Sequence, residues 1–161
     1  VHAMLGQQVA FPETLLPIPT VSGNKPFDRQ AAELKIIQYI DSMDCTSCRM
    51  SDLMTWNLFQ ERIVKSKQPQ VAICVIIGTA DTAAIRSYAS TFDYRFRLYI
   101  DTCAQFLRLN GFIPEEEVYR TFLLDEHNRI TLIGRPFLSP ESEALFNRKI
   151  HRLWKKQSKN K

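Results

Sequence analysis

A mixed α/β domain is the architecture this sequence predicts, and three observations predict it. Apolar stretches of strand length alternate with segments whose apolar residues recur every three or four positions. The stretch Val71–Ile77 is β-branched and apolar on both faces, as a central parallel strand covered by helices should be. Two short apolar runs, Thr121–Asp125 and Arg129–Ile133, are joined by Glu126-His127-Asn128 and read as a hairpin, which adds antiparallel strands to that sheet.

Taken in order, residues 1–33 contain Pro12, Pro17, Pro19 and Pro26, which rules out a long helix and leaves short extended pieces such as Gln8–Phe11 and Leu15–Ile18. Leu34–Ile40 reads as a buried strand. Cys45 to about Lys65 reads as one helix, because Leu53, Trp56, Phe59 and Ile63 recur at helical steps. After Val71–Ile77, a helix is expected from Thr79 to about Ser90, with Asp81 near its start. Arg95–Ile100 alternates as a strand, and Thr102–Leu109 is a short helix stopped by Asn110-Gly111. Beyond the hairpin, Pro140 to about Lys156 is a helix opened by proline, with Leu145, Phe146, Ile150, Leu153 and Trp154 placed on one side. The strand–helix alternation favours a mixed central sheet flanked by helices. Residues 1–33 form an extended lead-in packed on the domain, and 34–161 form the domain itself.

The chain has 161 residues, enough for one domain with a full core, and no apolar run approaches the ~18 residues of a membrane span. Its net charge of +4 is unevenly placed. Residues 147–161 carry seven Lys and Arg and no acid, so the remainder sums to −3. A solvated helix end accounts for this block, since cations suit a helix C-terminus, and no nucleic-acid partner is expected. The opening Val1-His2-Ala3-Met4 shows no basic-then-apolar export signal.

The chemistry concentrates in Cys45-Thr46-Ser47-Cys48. Cys45 is expected where a strand has ended and a helix begins, so unsatisfied backbone N–H groups and the helix dipole would favour its thiolate. Cys48, one turn on, could then attack a mixed disulfide formed on Cys45. Thr46 and Ser47 are small enough not to obstruct a bridge. Arg49 would add positive charge, and Asp44 would oppose the thiolate. Two other readings stay open: a structural disulfide or inert pair, and a metal site, although no second close pair of Cys or His accompanies the motif. Cys74, inside an apolar strand, reads as a buried small hydrophobe; Cys103 opens the short helix without a nearby partner. Trp56 and Trp154 read as core residues. Glu115-Glu116-Glu117 reads as a solvated loop that could also select partners.

Lys35–Ile40 leading into Cys45-Thr46-Ser47-Cys48, with "YRTFLLDEHNRITLIG" from Tyr119 to Gly134 and the opening "LGQQVAFPETL", resembles the thioredoxin-like superfamily. Within it, the chain is similar to the TlpA/ResA and redoxin relatives of the bacterial cell envelope, over about residues 34–157. The resemblance implies a thioredoxin-like fold and a thiol–disulfide oxidoreductase with Cys45 and Cys48 as catalytic residues. Asp44, Thr46, Ser47, Tyr119 and Arg120 would line the substrate groove. No cofactor and no metal are implied. The implied partner is a protein dithiol or disulfide met by a monomer in the periplasm or cell envelope, with a lipid anchor on a segment absent from this chain as an option. A catalytically quiet thioredoxin-fold module that binds a protein or peptide near Tyr119 is the alternative. A peroxidase would need a loop around a single cysteine that "MDCTSC" does not supply. Two departures stand out: Asp44 precedes the first cysteine, and the family's cis-proline position falls on Tyr119 or Arg120, with Pro114 the nearest proline. The missing proline implies a narrower partner range, a different redox poise or lost activity.

Overall fold

The computed structural model describes residues 2–21, 23, 26–41, 46–65 and 71–160, apart from the side chains of Thr46 and Val64. Among the described residues six strands and five α-helices follow in the order β1 (Leu16–Ile18), β2 (Lys35–Asp41), α1 (Thr46–Asp52), α2 (Thr55–Lys65), β3 (Ala72–Gly78), α3 (Thr82–Thr91), β4 (Arg97–Asp101), α4 (Gln105–Leu109), β5 (Thr121–Leu124), β6 (Ile130–Ile133) and α5 (Pro140–Lys159), with a 3-10 turn at Glu117–Tyr119 before β5. The expected mixed sheet is present, in the strand order β1-β4-β3-β2-β5-β6. β2, β3 and β4 are parallel; β1, β5 and β6 run antiparallel to their neighbours.

This order explains where the helices lie. The chain steps outward from β2 to β3 to β4, and right-handed crossovers in one direction put both connections on the same face. On that face Met50, Leu53, Trp56 and Phe59 of the 46–65 segment, Ile85 of α3, and Phe146 and Ile150 of α5 pack on Ile36, Ile40, Val75 and Leu98. On the opposite face the five-residue α4 contributes Phe106 and the 3-10 turn contributes Tyr119. The lead-in completes the cover: Met4, Val9, Phe11 and Leu15 are buried with Ile37, Tyr39, Ile76 and Phe122. Met4, Val9, Phe11 and Leu15 of the lead-in are therefore part of the core. β1 extends the sheet beyond β4, and of the Gln8–Phe11 piece only Gln8 makes a bridge, to Arg129.

Lys35 is buried in β2, and its ammonium donates to Ala31 O, Glu33 O and Asn128 Oδ1 at 3.0, 3.2 and 2.9 Å. It ties the end of the lead-in to the hairpin turn, where Asn128 takes a left-handed backbone (φ 60°). Burial holds its pKa below the usual lysine value.

Several expectations are corrected. The helix expected from Cys45 to Lys65 is two helices. At the join Met54, Trp56 and Asn57 donate to carbonyls three residues back, Ser51, Leu53 and Met54, so the α-helical ladder is pinched into a tighter turn. The helices expected from Thr79 and Thr102 start at Thr82 and Gln105, the first after its Asp81 cap and the second after Ala104 adopts a left-handed backbone (φ 50°). On α5 the core-facing positions are Phe146 and Ile150, with Leu153 partly buried; Leu145 and Trp154 are 46% and 44% exposed. They flank the apolar stripe, so Trp154 is not a core residue. Trp56 is one, fully buried with rings of Phe59 and Phe137 edge-on at 6.0 and 4.8 Å.

Candidate active site

The parallel strands end at Asp41, Gly78 and Asp101. In open α/β sheets the crevice beyond the carboxyl ends of the strands is where sites form. The floor of this crevice is a buried layer of polar contacts. Asp101 is buried and its two carboxylate oxygens accept from the backbone N–H groups of Gln105 and Phe106 at 3.0 and 2.8 Å, capping α4. Tyr39 donates its hydroxyl to the same carboxylate at 3.4 Å and stacks on Phe106. Burial, reinforced by Asp101, pushes the Tyr39 pKa above its ordinary value, so the phenol stays protonated and donating.

Gly78 makes room for that hydroxyl. A Cβ at residue 78 would lie 2.2 Å from the Tyr39 hydroxyl oxygen. Gly78→Ala is expected to lower stability by about 1–3 kcal/mol, the usual cost of overpacking, measured by urea denaturation. Tyr39→Phe in the same chain should recover part of the loss, since the nearest clashing atom is gone; an alanine variant as stable as the parent would contradict this account.

Above the floor, α1 carries the second cysteine of the motif. Cys48 is exposed and disulfide-bonded, Ser47 is exposed, and Thr46 is the first residue of the helix. Asp44 and Cys45 lie outside the described residues. Cys74 and Cys103 are free thiols. Cys74 is the buried hydrophobe expected, and burial pushes its thiol up to about 12. Cys103 is exposed, its sulfur 3.7 Å from the Thr102 hydroxyl.

The residue after Cys48 is engaged elsewhere. Arg49 makes a bidentate ion pair with Glu117, one arm at 2.7 Å to Oε2 and the other to Oε1. Arg135, just past β6, donates to the same Oε1 at 2.9 Å. Hydrogen bonding from Arg49 outweighs partial desolvation and, with the charges of both arginines, holds the Glu117 carboxyl below its usual range. The expectation of a simply solvated Glu115-Glu116-Glu117 loop is corrected for its third residue. Glu117 joins α1, the 3-10 turn and the segment after β6.

Tyr119 is half-buried against the core face that holds the lead-in. Arg120 turns its side chain back into the protein: it is 11% exposed, pairs with Asp41 at 3.5 Å, and donates from Nε to Pro114 O at 3.4 Å. Its carbonyl accepts from the Tyr39 N–H at 2.9 Å, which continues the β2–β5 pairing. Thr121 follows Arg120 through a trans bond; among the described residues no peptide bond is cis.

Behind α1 a cavity of about 180 Å³ is lined by residues including Gln38, Arg49, Asp52, Trp56 and Arg135. The Trp56 indole N–H donates to Gln38 Oε1 at 2.6 Å along one side of it. Among the described residues no group of three or more His, Cys, Asp and Glu side chains is placed to hold a metal ion, and no helix is long and apolar enough to cross a membrane.

The ion-pair hub has no local signature: Arg49 and Glu117 are 68 positions apart, and Arg135 lies 18 beyond Glu117. The Tyr39–Gly78–Asp101 floor likewise depends on strand register, which pairs Tyr39 with Ile76 and Gly78 with Asp101.

No protein-family model and no curated protein matches the chain. Solved structures do. A candidate thiol-disulfide oxidoreductase from Bacteroides vulgatus is 13% identical, with 88% of this chain and 90% of that chain covered at a TM-score of 0.61. The exposed lipoprotein thioredoxin of Streptococcus pneumoniae is 12% identical over 84% of this chain and 99% of its own, at a TM-score of 0.54. PrxQ of Xylella fastidiosa is 16% identical over 89% and 93%, at a TM-score of 0.55.

Proposed function

We propose that this chain, whose fold is thioredoxin-like, is a thiol–disulfide oxidoreductase that uses Cys45 and Cys48. One observation carries the reading: Cys48 is disulfide-bonded and solvent-exposed in the first turn of α1, the helix that follows central strand β2. With Cys74 and Cys103 free and four cysteines in the chain, Cys45 is the intrachain partner we assign to it. Two intervening residues suit a bridge across one helical turn.

In the reducing direction, the Cys45 thiolate attacks one sulfur of a partner protein's disulfide. That S–S bond breaks, a mixed disulfide forms, and the released partner sulfur takes up a proton. Cys48 then loses its proton and attacks the Cys45 sulfur, expelling the second partner sulfur as a thiol. Two electrons and two protons pass to the partner, and the Cys45–Cys48 disulfide remains. Oxidation of a partner dithiol is the same sequence reversed. Asp44, Thr46, Ser47, Tyr119 and the Arg120 backbone form the groove for the partner in this proposal. An extracytoplasmic setting fits the reading, because the similar pneumococcal protein is an exposed lipoprotein and such compartments sustain disulfides.

The test is the reduction potential of the pair, read by alkylation and mass spectrometry across defined thiol–disulfide buffers. A reversible two-electron couple between about −270 and −120 mV, the range of redox-active pairs, is expected. A pair still oxidised below about −300 mV, or one that never closes, would instead make Cys48's disulfide a structural staple and the protein a binding module.

A further inference from the structure

We infer that Glu117 is a positioning residue that sets the redox poise of the Cys45–Cys48 pair by neutralising Arg49, the cation next to it in sequence. The inference rests on the proposed oxidoreductase reading and deepens it.

Arg49 immediately follows Cys48, in a seven-residue helix that contains one other charged residue, Asp52, and no acid in its first turn. Left to itself, its guanidinium would be the nearest described cation along the chain to the sulfurs. A cation beside a thiolate stabilises it, lowers the thiol pKa and so stabilises the reduced form. A stabilised reduced form makes a pair a stronger oxidant. The structure shows the guanidinium committed to Glu117 through both arms, and the same carboxylate shared with Arg135. The carboxylate comes from the 3-10 turn Glu117–Tyr119, shortly before β5. Glu117 therefore does two things at once. It holds the turn against the helix that bears Cys48, and it offsets the positive charge carried by the residue next to Cys48 in the chain. Both partners are partly solvated, with side chains 36% and 38% exposed, so the electrostatic effect is moderate.

The charge argument makes opposite predictions for the two partners. Glu117→Gln removes a negative charge that faces two guanidinium groups, so the reduced form gains and the pair becomes more oxidising. Arg49→Gln removes a cation and leaves the carboxylate, so the reduced form loses and the pair becomes more reducing. Both variants break the same contact, so a purely structural role would move them in the same direction or not at all. The measurement is the equilibrium constant of the intact chain against glutathione, with thermal melting of each variant as the folding control. Shifts of about two- to fivefold in opposite directions are expected, the size of a partly exposed ion pair. Glu117→Asp, which keeps the charge, should stay within about twofold of the parent. If Glu117→Gln does not fold, the direction taken by Arg49→Gln decides. Shifts of one sign, no shift, or a Glu117→Asp value equal to that of Glu117→Gln would overturn the role of Glu117 and leave the oxidoreductase reading intact. A parent chain without a reversible couple would overturn that reading and this inference with it.

Discussion

Replacing Cys45 with serine is expected to abolish catalytic disulfide exchange, bringing turnover down to the rate of buffer alone, while Cys48→Ser is expected to accumulate mixed disulfides with partner proteins. The two outcomes differ because the sulfurs have different tasks. Without Cys45 there is no attacking thiolate; without Cys48 the attack succeeds but nothing releases the product. The exposure of Cys48 sharpens the design. In the Cys45 variant Cys48 is accessible and can itself be captured by a disulfide, so a single mixed disulfide is not diagnostic and multiple turnover must be followed. Cys103 is also exposed, and the experiment belongs in a Cys103→Ser background. Cys74 needs no such precaution, because burial keeps its thiol protonated and out of reach. Unchanged turnover in the Cys45 variant would sink the mechanism.

The largest effect on stability is expected at Trp56. Trp56→Ala should cost about 3–5 kcal/mol, a large share of the roughly 5–15 kcal/mol that holds a domain of this kind together. The ring is fully buried and meets Phe59 and Phe137 edge-on, so its removal empties a cavity between α2, the sheet and the segment before α5. It also takes away the indole N–H that satisfies Gln38 at 2.6 Å, and Gln38 is buried in β2. Trp56→Phe separates the two contributions. It keeps most of the ring packing and loses the hydrogen bond, and should cost about 1–3 kcal/mol. Urea denaturation of both variants is the measurement. A loss below about 1 kcal/mol for the alanine variant would be far under the range for such a residue and would show that α2 is not anchored through this ring.

How much of this was legible beforehand depended on how local the cause was. β3 is apolar on both faces because helices and lead-in cover both, and that burial is written directly into Val71–Ile77. α3 begins after Asp81, whose side chain accepts from the Ala84 N–H at 3.1 Å, a capping preference that needs no tertiary partner. α5 opens with Ser139 as cap and Pro140 in its first turn for the same reason. The break between α1 and α2 was not legible. Leu53, Trp56, Phe59 and Ile63 keep a helical rhythm through it, and a single tighter turn disturbs that rhythm too little to notice. Trp154 misled for a related reason. Periodicity gives the centre of an apolar stripe better than its edges, and only packing decides that Phe146 and Ile150 face the core while Leu145 and Trp154 do not.

Residue order alone was enough to specify the alternating elements, the hairpin and the place of Cys48 at the start of a helix after a strand. These follow from hydrophobic period, capping and turn chemistry, all of which act over a few residues. Tertiary structure decided what surrounds that helix: Glu117 and Arg135 brought to Arg49, Tyr39 fitted over Gly78 onto Asp101, Arg120 folded back on Asp41, and a proline-rich lead-in used as core. Each joins residues far apart in the chain, through strand order and register. Charge pairing and close approach are properties of distance in space, and no short-range pattern carries them.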